Sequence, residues 1–220
     1  MSPSTATASA RRRSTRGSAG ARRKAAARRR RRVLVGVALG ALAIVGIVRV
    51  LPLAQRAVND LGLPLDYPAI IRQQAADKHL DPALVAAVIY AETKFDPRTS
   101  SAGAEGLMQL MPQTATFLAH RSGATTFTTA DLATPEVNIA YGSYYLRYLL
   151  DEFHGNTAEA LAAYNGGEAN VSRWISEARA DGRPFRVVDI PFPETRDYVQ
   201  RVLQARSRYR QTYAGQLGYS

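Results

Sequence analysis

The sequence predicts a mainly α-helical domain behind a single N-terminal transmembrane helix. Helix start signals, each a capping residue followed by proline, occur at Asp81-Pro82 and Thr134-Pro135, and Pro193-Glu194 opens a further helical pattern. The alternating pattern typical of strands is nearly absent. Val33 to Val48 is an uninterrupted run of apolar residues and glycine, which is the pattern of a membrane segment.

Positive charge is concentrated in the first 32 residues. The chain of 220 residues has 29 Lys and Arg against 18 Asp and Glu, a net charge of +11. Residues 1–32 hold 12 of the basic residues and no acidic one, so the remaining 188 residues carry a net charge of −1. This segment has no large apolar residue after Met1, so we expect a disordered, arginine-rich cytoplasmic tail. Its arginine clusters also fit phosphate binding, but the apolar run that follows favours a topology signal, and we expect no nucleic-acid partner.

Residues 33–54 are predicted to be an uncleaved signal anchor in the cell membrane. The apolar run spans about 24 Å as a helix, and about 33 Å through residue 54 if Arg49 extends its charge to the membrane surface. A bilayer core is about 30 Å thick. Because the basic flank precedes the run, we expect the N-terminus in the cytoplasm and everything after residue 55 outside. The competing interpretation is a cleaved signal peptide and a secreted domain, with Pro52-Leu53-Ala54 as a poor cleavage site.

Composition restricts the chemistry that the chain can perform. The absence of cysteine excludes disulfide scaffolds, thiol nucleophiles and thiolate zinc sites. His79, His120 and His154 have no carboxylate or histidine partner at ligand spacing, so we expect no metal ion and no cofactor. A domain outside the membrane has no supply of ATP. Cleavage or binding of a polymer without a cofactor is therefore the leading class of function.

The part of the chain after the membrane segment is predicted to be a linker, one folded domain and a short tail. The linker covers residues 55–66, the domain residues 67–213 and the C-terminal tail residues 214–220. Helices are expected at Pro68–His79, from Pro82 to about Thr93, from Pro135 to about Phe153, from Thr157 to Gly166-Gly167, at Glu168–Ala180 and from Pro193 onward, with a possible short extended piece at Arg186–Ile190.

Glu92 is the first candidate for chemistry. It follows Leu84 and Val88 at helical spacing, which places a carboxylate on the same stripe as large apolar residues. Burial against apolar groups would disfavour the charged form and raise the pKa of Glu92, as a general acid requires near neutral pH. The alternative is a helix-end glutamate that reaches solvent, and the spacing alone does not decide between the two.

Three further clusters carry polar groups that have a structural explanation as well as a functional one. Gln109 is the only polar side chain of the apolar run Gly106–Pro112, where it either satisfies buried backbone or faces a groove. Tyr164-Asn165 precedes two glycines, which is also a plain helix C-cap. Acidic residues of Glu194–Val199 suit the positive end of the last helix.

The four clusters together, in this order and spacing, resemble the catalytic domain of the SLT-type lytic transglycosylases. This soluble lytic transglycosylase group is related to goose-type lysozyme, so the resemblance implies a lysozyme-like helical fold. The likeness runs from about Tyr67 to Tyr213. It rests on the stretches Ala86–Glu92, Gly106–Pro112, Leu161–Asn165 and Ile190–Val199.

The resemblance also implies roles for individual residues. Glu92 would be the catalytic acid and base. The residues matched to the sugar groove are Ser100, Met108, Gln109, Met111, Tyr164 and Asn165, with weaker groove roles for Glu194 and Tyr198. The sequence departs from the family pattern at Thr93, where serine is usual, and at Gly166, where alanine is usual.

The activity implied by the resemblance is cleavage of the β-1,4 bond between MurNAc and GlcNAc in peptidoglycan strands. A single glutamate would protonate the glycosidic oxygen and then remove the proton of the C6 hydroxyl, which leaves a 1,6-anhydro end. Ordinary glycoside hydrolases use two carboxylates. A muramidase that admits water to the same site, and a wall-binding module without turnover, are the alternatives. Partners in the cell-wall machinery stay unassigned.

Overall fold

The structure, a computed structural model, describes residues 63–219. The predicted cytoplasmic tail, the signal anchor at residues 33–54 and the linker up to residue 62 lie outside the described residues. Among residues 63–219, no helix combines the length and the apolar composition needed to cross a membrane.

The described residues form seven α-helices. Their bounds are Pro68–Asp77 (α1), Pro82–Thr93 (α2), Pro112–Ser122 (α3), Pro135–Glu152 (α4), Thr157–Gly166 (α5), Glu168–Ala180 (α6) and Pro193–Thr212 (α7). Two short 3₁₀ turns, Thr129–Ala133 and Val187–Asp189, complete the regular structure. Within this part of the chain, an isolated antiparallel bridge joins Glu105 to Leu110.

Helix α2 forms the centre of the domain. Asp81 caps it by accepting a hydrogen bond from the backbone of Ala83 at 3.0 Å, and Pro82 occupies the first helical position. Every residue from Ala83 to Ile89 is buried, the pattern of a helix that is apolar all round. Its most extensive packing is against α7. The last turn of α2 emerges from this core and carries Glu92.

The starts of α2, α4 and α7 confirm the proline signals of the sequence, whereas two other segments differ from expectation. Helix α3 was not predicted, although Ala115, Leu118 and Ala119 are buried at helical spacing. The extended piece expected at 186–190 is wrong at its centre, because residues 187–189 form a 3₁₀ turn. That turn is closed by a 2.9 Å hydrogen bond from the Arg186 N–H to the Asp189 carboxylate.

The packed domain extends beyond the expected bounds of 67–213 at both ends. Leu63 is buried, and its carbonyl accepts a hydrogen bond from the Tyr213 hydroxyl at 2.7 Å. At the C-terminus, Leu217 is buried and the Tyr219 hydroxyl contacts Asp81 at the N-terminus of α2. Leu63 and Leu217 therefore pack into the core, whereas Pro64 and Gln216 beside them are exposed.

Candidate active site

Glu92 lies half-buried on the last turn of α2. Burial raises the pKa of Glu92 from 4.5 to about 7. A contribution from the Tyr198 hydroxyl and the positive charges of Arg201 and Arg98 act in the opposite direction, and the negative charge of Glu194 adds to the rise. A carboxyl group of this kind is half-protonated near neutral pH, so it can both donate and accept a proton.

Two tyrosines adjoin Glu92. Burial, followed by the charge of Glu92, holds the pKa of Tyr198 and the pKa of Tyr164 well above the ordinary value for a phenol. The Tyr198 hydroxyl is buried and makes no hydrogen bond of full geometry with a described residue. Its interaction with the Glu92 carboxyl lowers the pKa of Glu92 and raises the pKa of Tyr198. Both phenols remain neutral and present hydroxyl groups to the site.

The residues that follow Glu92, residues 94–111, are named here the anchored loop, because side chains bond its backbone at several points. The Thr93 hydroxyl donates to the Leu107 carbonyl at 2.8 Å. The Arg98 guanidinium donates to the Glu92 carbonyl at 2.8 Å. The Gln109 amide nitrogen donates to the Arg98 carbonyl at 2.7 Å and to the Gly106 carbonyl at 2.8 Å. These bonds fix the loop relative to the end of α2.

Gln109 has a backbone φ of 48°, an uncommon conformation for a residue other than glycine. The two hydrogen bonds from the Gln109 side-chain nitrogen stabilise this backbone conformation. Strain of this kind is found where surrounding structure over-determines a functional position. The Gln109 side chain is half-buried at the surface of the anchored loop.

Asn138 on α4 anchors the same loop from the other side. Its side-chain oxygen accepts from the Met108 N–H at 2.8 Å, and its side-chain nitrogen donates to the carbonyls of Glu105 and Leu132, both at 2.9 Å. Asn138 is fully buried, so each of these bonds replaces one with water. The Tyr164 hydroxyl adds a bond to the Met108 carbonyl at 2.8 Å.

The structure does not place the Met108 side chain on the groove. Met108 is fully buried and packs so closely on α4 that a Cβ atom at Gly142 would lie 2.4 Å from the Met108 sulfur. Met111, by contrast, is half-buried at the start of α3. The first methionine is thus core filler, and the second has surface that a ligand can reach.

An open cleft of about 410 Å³ lies beside this arrangement. The residues that line this open cleft are Asn165, Gly166, Phe192, Pro193, Glu194 and Thr195. The buried Thr195 hydroxyl donates to the Asn165 side-chain oxygen at 2.8 Å and so fixes its orientation. Glu92 does not itself line the open cleft, but the charge of Glu194 reaches it.

Five of the site residues named from the sequence lie either around Glu92 or in the open cleft. Tyr164 and Tyr198 adjoin Glu92, while Asn165 and Glu194 line the open cleft. The groove role expected for Tyr198 is not supported, because its side chain is fully buried. Ser100 is engaged within the anchored loop, where its hydroxyl accepts from the Ala104 N–H at 2.9 Å.

Sequence reasoning missed the residues that position others. Asn138 and Thr195 act through buried hydrogen bonds, and nothing in their local sequence distinguishes them from solvated polar residues. Phe192 lies within the stretch Ile190–Val199, which carries the resemblance without giving Phe192 a role, although Phe192 lines the open cleft.

No group of three or more histidine, cysteine, aspartate or glutamate side chains that could hold a metal ion occurs within residues 63–219.

The chain is similar both to solved structures and, in sequence, to curated proteins. The 70 kDa soluble lytic transglycosylase from Escherichia coli superposes with a TM-score of 0.64 at 31% identity, over 72% of this chain and 26% of that one. The soluble lytic murein transglycosylase of Escherichia coli strain K12 is 36% identical over 151 residues, which are 67% of this chain and 23% of the relative. A membrane-bound lytic murein transglycosylase C from Actinobacillus pleuropneumoniae is 28% identical, over 65% of this chain and 45% of the relative.

Fold and site together define a helical, lysozyme-like domain in which Glu92, an acid of raised pKa, interacts with a carboxylate that lines an open cleft. The model of the transglycosylase SLT domain matches residues 69–184, more than half of the chain. The chain therefore belongs to the SLT domain family. It spans about a quarter of the length of the soluble relatives that it matches.

Proposed function

We propose that this protein is a lytic transglycosylase that cleaves peptidoglycan strands and uses Glu92 as its single acid and base. The observation that carries the proposal is the pKa of Glu92, raised to about 7 by burial, in a member of the SLT family. A general acid is most effective when its pKa lies near the working pH.

In the proposed reaction, protonated Glu92 gives its proton to the oxygen of the MurNAc-GlcNAc bond. The bond between C1 of MurNAc and that oxygen then breaks, and GlcNAc leaves with a free hydroxyl. The Glu92 carboxylate takes the proton of the MurNAc C6 hydroxyl while O6 bonds to C1. Glu92 ends as it began, no water is consumed, and the product carries a 1,6-anhydro ring. Holding the C6 hydroxyl close to C1 replaces a separate nucleophile.

The open cleft and the anchored loop supply the binding surface in this proposal. Asn165, oriented by Thr195, and Glu194 offer hydrogen-bonding groups to sugar hydroxyls and acetamido groups. Gln109 and Met111 contribute from the anchored loop. Tyr198 and Tyr164 keep water away from the buried side of Glu92.

We also propose that residues 33–54 anchor the protein in the cell membrane, with residues 1–32 in the cytoplasm and the SLT domain outside. The basic flank before the apolar run supports this orientation. Among the similar proteins, one is named as soluble and another as membrane-bound. Cell fractionation with protease protection of the two ends tests the arrangement.

The proposal is tested by mass spectrometry of the soluble products released from purified peptidoglycan by the full chain. We expect 1,6-anhydro-muropeptides, and we expect Glu92→Gln to lower their rate of release by roughly 10² to 10⁴-fold, the usual contribution of a general acid and base. Glu177→Gln, an exposed glutamate on α6, is the matched control and should retain full activity. Unchanged release by Glu92→Gln contradicts the assignment.

A muramidase is the second candidate, and Glu194 is the observation that favours it. Its carboxylate is near enough for its charge to act on Glu92, and hydrolytic enzymes pair an acid with a second carboxylate. Reducing-end products in the same experiment would identify hydrolysis. If the wild-type chain and Glu92→Gln both bind peptidoglycan and neither releases products, the protein is a wall-binding module.

A further inference from the structure

The two phenylalanines exposed among the described residues are held in a similar way. Phe117 and Phe192 are 45% and 43% exposed. Phe192 lines the open cleft and is braced by the Trp174 ring, with centroids 5.1 Å apart and planes at 85°. Phe117 on α3 is braced by the Tyr148 ring, with centroids 5.5 Å apart and planes at 68°. Each exposed ring therefore packs edge to face on a second ring, an arrangement that aromatic pairs prefer.

Tyr148, which braces Phe117, is itself held from three sides. The Arg121 guanidinium lies 5.1 Å from the centre of its ring, and its hydroxyl donates to the Glu168 carboxylate at 3.2 Å. The Tyr145 ring stacks on it at 6.2 Å. A single exposed apolar side chain is ordinary at a protein surface. An exposed ring whose support is held by a cation, a carboxylate and a second ring is a rigid platform.

The platform is continuous with the proposed active site. Tyr145 contacts Tyr164 with ring centroids 5.1 Å apart, and the Tyr164 hydroxyl holds the anchored loop beside Glu92. Rings therefore follow one another from the acid to the surface of α3. Glu168, the partner of Tyr148, begins α6 two residues after Gly166, which ends α5 and lines the open cleft.

We propose that Phe117, braced by Tyr148, is an additional sugar-binding platform that takes a residue of the glycan strand outside the open cleft. The C–H groups on one side of a β-linked pyranose form an apolar face, which packs on the negative face of an aromatic ring. Arg121, which lies over the Tyr148 ring, and Glu168, which accepts from the Tyr148 hydroxyl, provide a donor and an acceptor for hydroxyl and acetamido groups. The inference rests on the proposed function and assigns a longer binding surface to the same strand.

The test measures affinity against the length of the saccharide. The full chain with Glu92→Gln, in which cleavage is expected to be slow, is titrated with β-1,4-linked N-acetylglucosamine oligomers of increasing length and with peptide-free glycan strands. Addition of Phe117→Ala should leave the affinity for the shortest binding oligomers unchanged and weaken the affinity for the longest ligands about tenfold, as expected for one lost aromatic contact. Phe117→Tyr keeps the ring and should restore the affinity.

Val188→Ala is the matched control, since Val188 is 63% exposed and does not line the open cleft. Val188→Ala should leave the affinity for every ligand unchanged. An affinity for long strands that is the same in Phe117→Ala and its parent overturns the platform and leaves the proposed function intact. Failure of the parent to bind any glycan, together with no anhydro products from the wild-type chain, overturns the proposed function itself.

Discussion

The anchored loop is held by side chains that bond its backbone, whereas the open cleft exposes its polar side chains to solvent. In the first region, Thr93, Asn138 and Tyr164 each donate to or accept from a backbone group of the loop. In the second region, Asn165 and Glu194 are exposed, and the bond from Thr195 is directed to a side chain.

The difference separates the position of the acid from recognition of the substrate. A general acid must be held within a fraction of an ångström of its target, so its surroundings are rigid and buried. A surface that binds a flexible polymer needs reachable groups that water solvates until the ligand arrives. Substitutions in the first region should therefore reduce stability and turnover together, and substitutions in the second should act mainly on KM.

Replacement of Asn138 should have the largest effect on stability. Asn138→Ala leaves the Met108 N–H and the carbonyls of Glu105 and Leu132 buried without this partner. We expect the free energy of unfolding to fall by about 3 kcal/mol, measured by denaturant titration. Asn170→Ala is the matched control, because it removes one half-buried bond to Gly166 and one exposed bond from Arg173, and its cost should be about 1 kcal/mol. Equal costs for the two variants would show that the anchored loop is not held from α4.

Thr93 tests the same region with a smaller change. Thr93→Val keeps the shape of the side chain and removes the hydroxyl bonded to Leu107. We expect a loss of about 2 kcal/mol of stability and a lower kcat, because the loop then moves relative to Glu92. Thr93→Ser, which keeps the hydroxyl, should retain both properties. A wild-type kcat in Thr93→Val would show that the position of the anchored loop does not affect catalysis by Glu92.

Thr195 tests the open cleft. Thr195→Val releases the Asn165 side chain, and we expect KM for peptidoglycan to rise several-fold while kcat changes little, at a cost of about 1 kcal/mol in stability. Thr195→Ser should restore the wild-type KM. Steady-state kinetics distinguish the two parameters. A change confined to kcat would place Asn165 in the chemical step.

Gly166 should give the smallest effect. An added Cβ would lie 3.0 Å from the Thr195 side chain, but alanine favours the helix over glycine by up to about 1 kcal/mol. We expect these contributions to offset each other and Gly166→Ala to change the free energy of unfolding by less than about 0.5 kcal/mol. The Cβ would meet the methyl carbon and the hydroxyl oxygen of Thr195 at the same distance, so a Thr195→Ser background removes one of the two close contacts and should make Gly166→Ala less costly. A loss above about 2 kcal/mol would show that the glycine is required for packing.

Local signals predicted the helix starts and the candidate acid, because capping residues, proline and apolar spacing act within a few positions. The bounds of α2 follow from Asp81-Pro82, and Glu92 follows from its place after Leu84 and Val88. The resemblance of four short motifs then supplied most of the remaining site residues. Whether Glu92 was buried could not be read from spacing, since burial depends on α7 packing over α2.

The errors arose where distant contacts decide the outcome. Two methionines of one short motif look alike in sequence, yet Gly142, from a different helix, leaves room for Met108 alone to enter the core. Asn138 is a single polar residue in a helical pattern, and its three bonds reach positions up to 33 residues away. Helix α3 was hidden because Pro112 completes a recognisable motif and also begins the helix.

The raised pKa of Glu92 makes the free energy of unfolding depend on pH. The folded pKa of about 7 lies above the ordinary value of 4.5, so between these pH values the folded protein holds a proton that the unfolded chain releases. The free energy of unfolding should therefore fall as the pH rises through this window, by at most about 3 kcal/mol. In Glu92→Gln this part of the pH dependence should disappear.

The most direct measurement is an NMR titration of the Glu92 side-chain carboxyl carbon in the full chain, assigned by its absence from Glu92→Gln. A midpoint near pH 7 is the predicted result, because burial outweighs the neighbouring positive charges. A midpoint near the ordinary 4.5 would mean that Glu92 is charged at neutral pH. It would then lack the proton that the proposed reaction must donate, and the central claim would be contradicted.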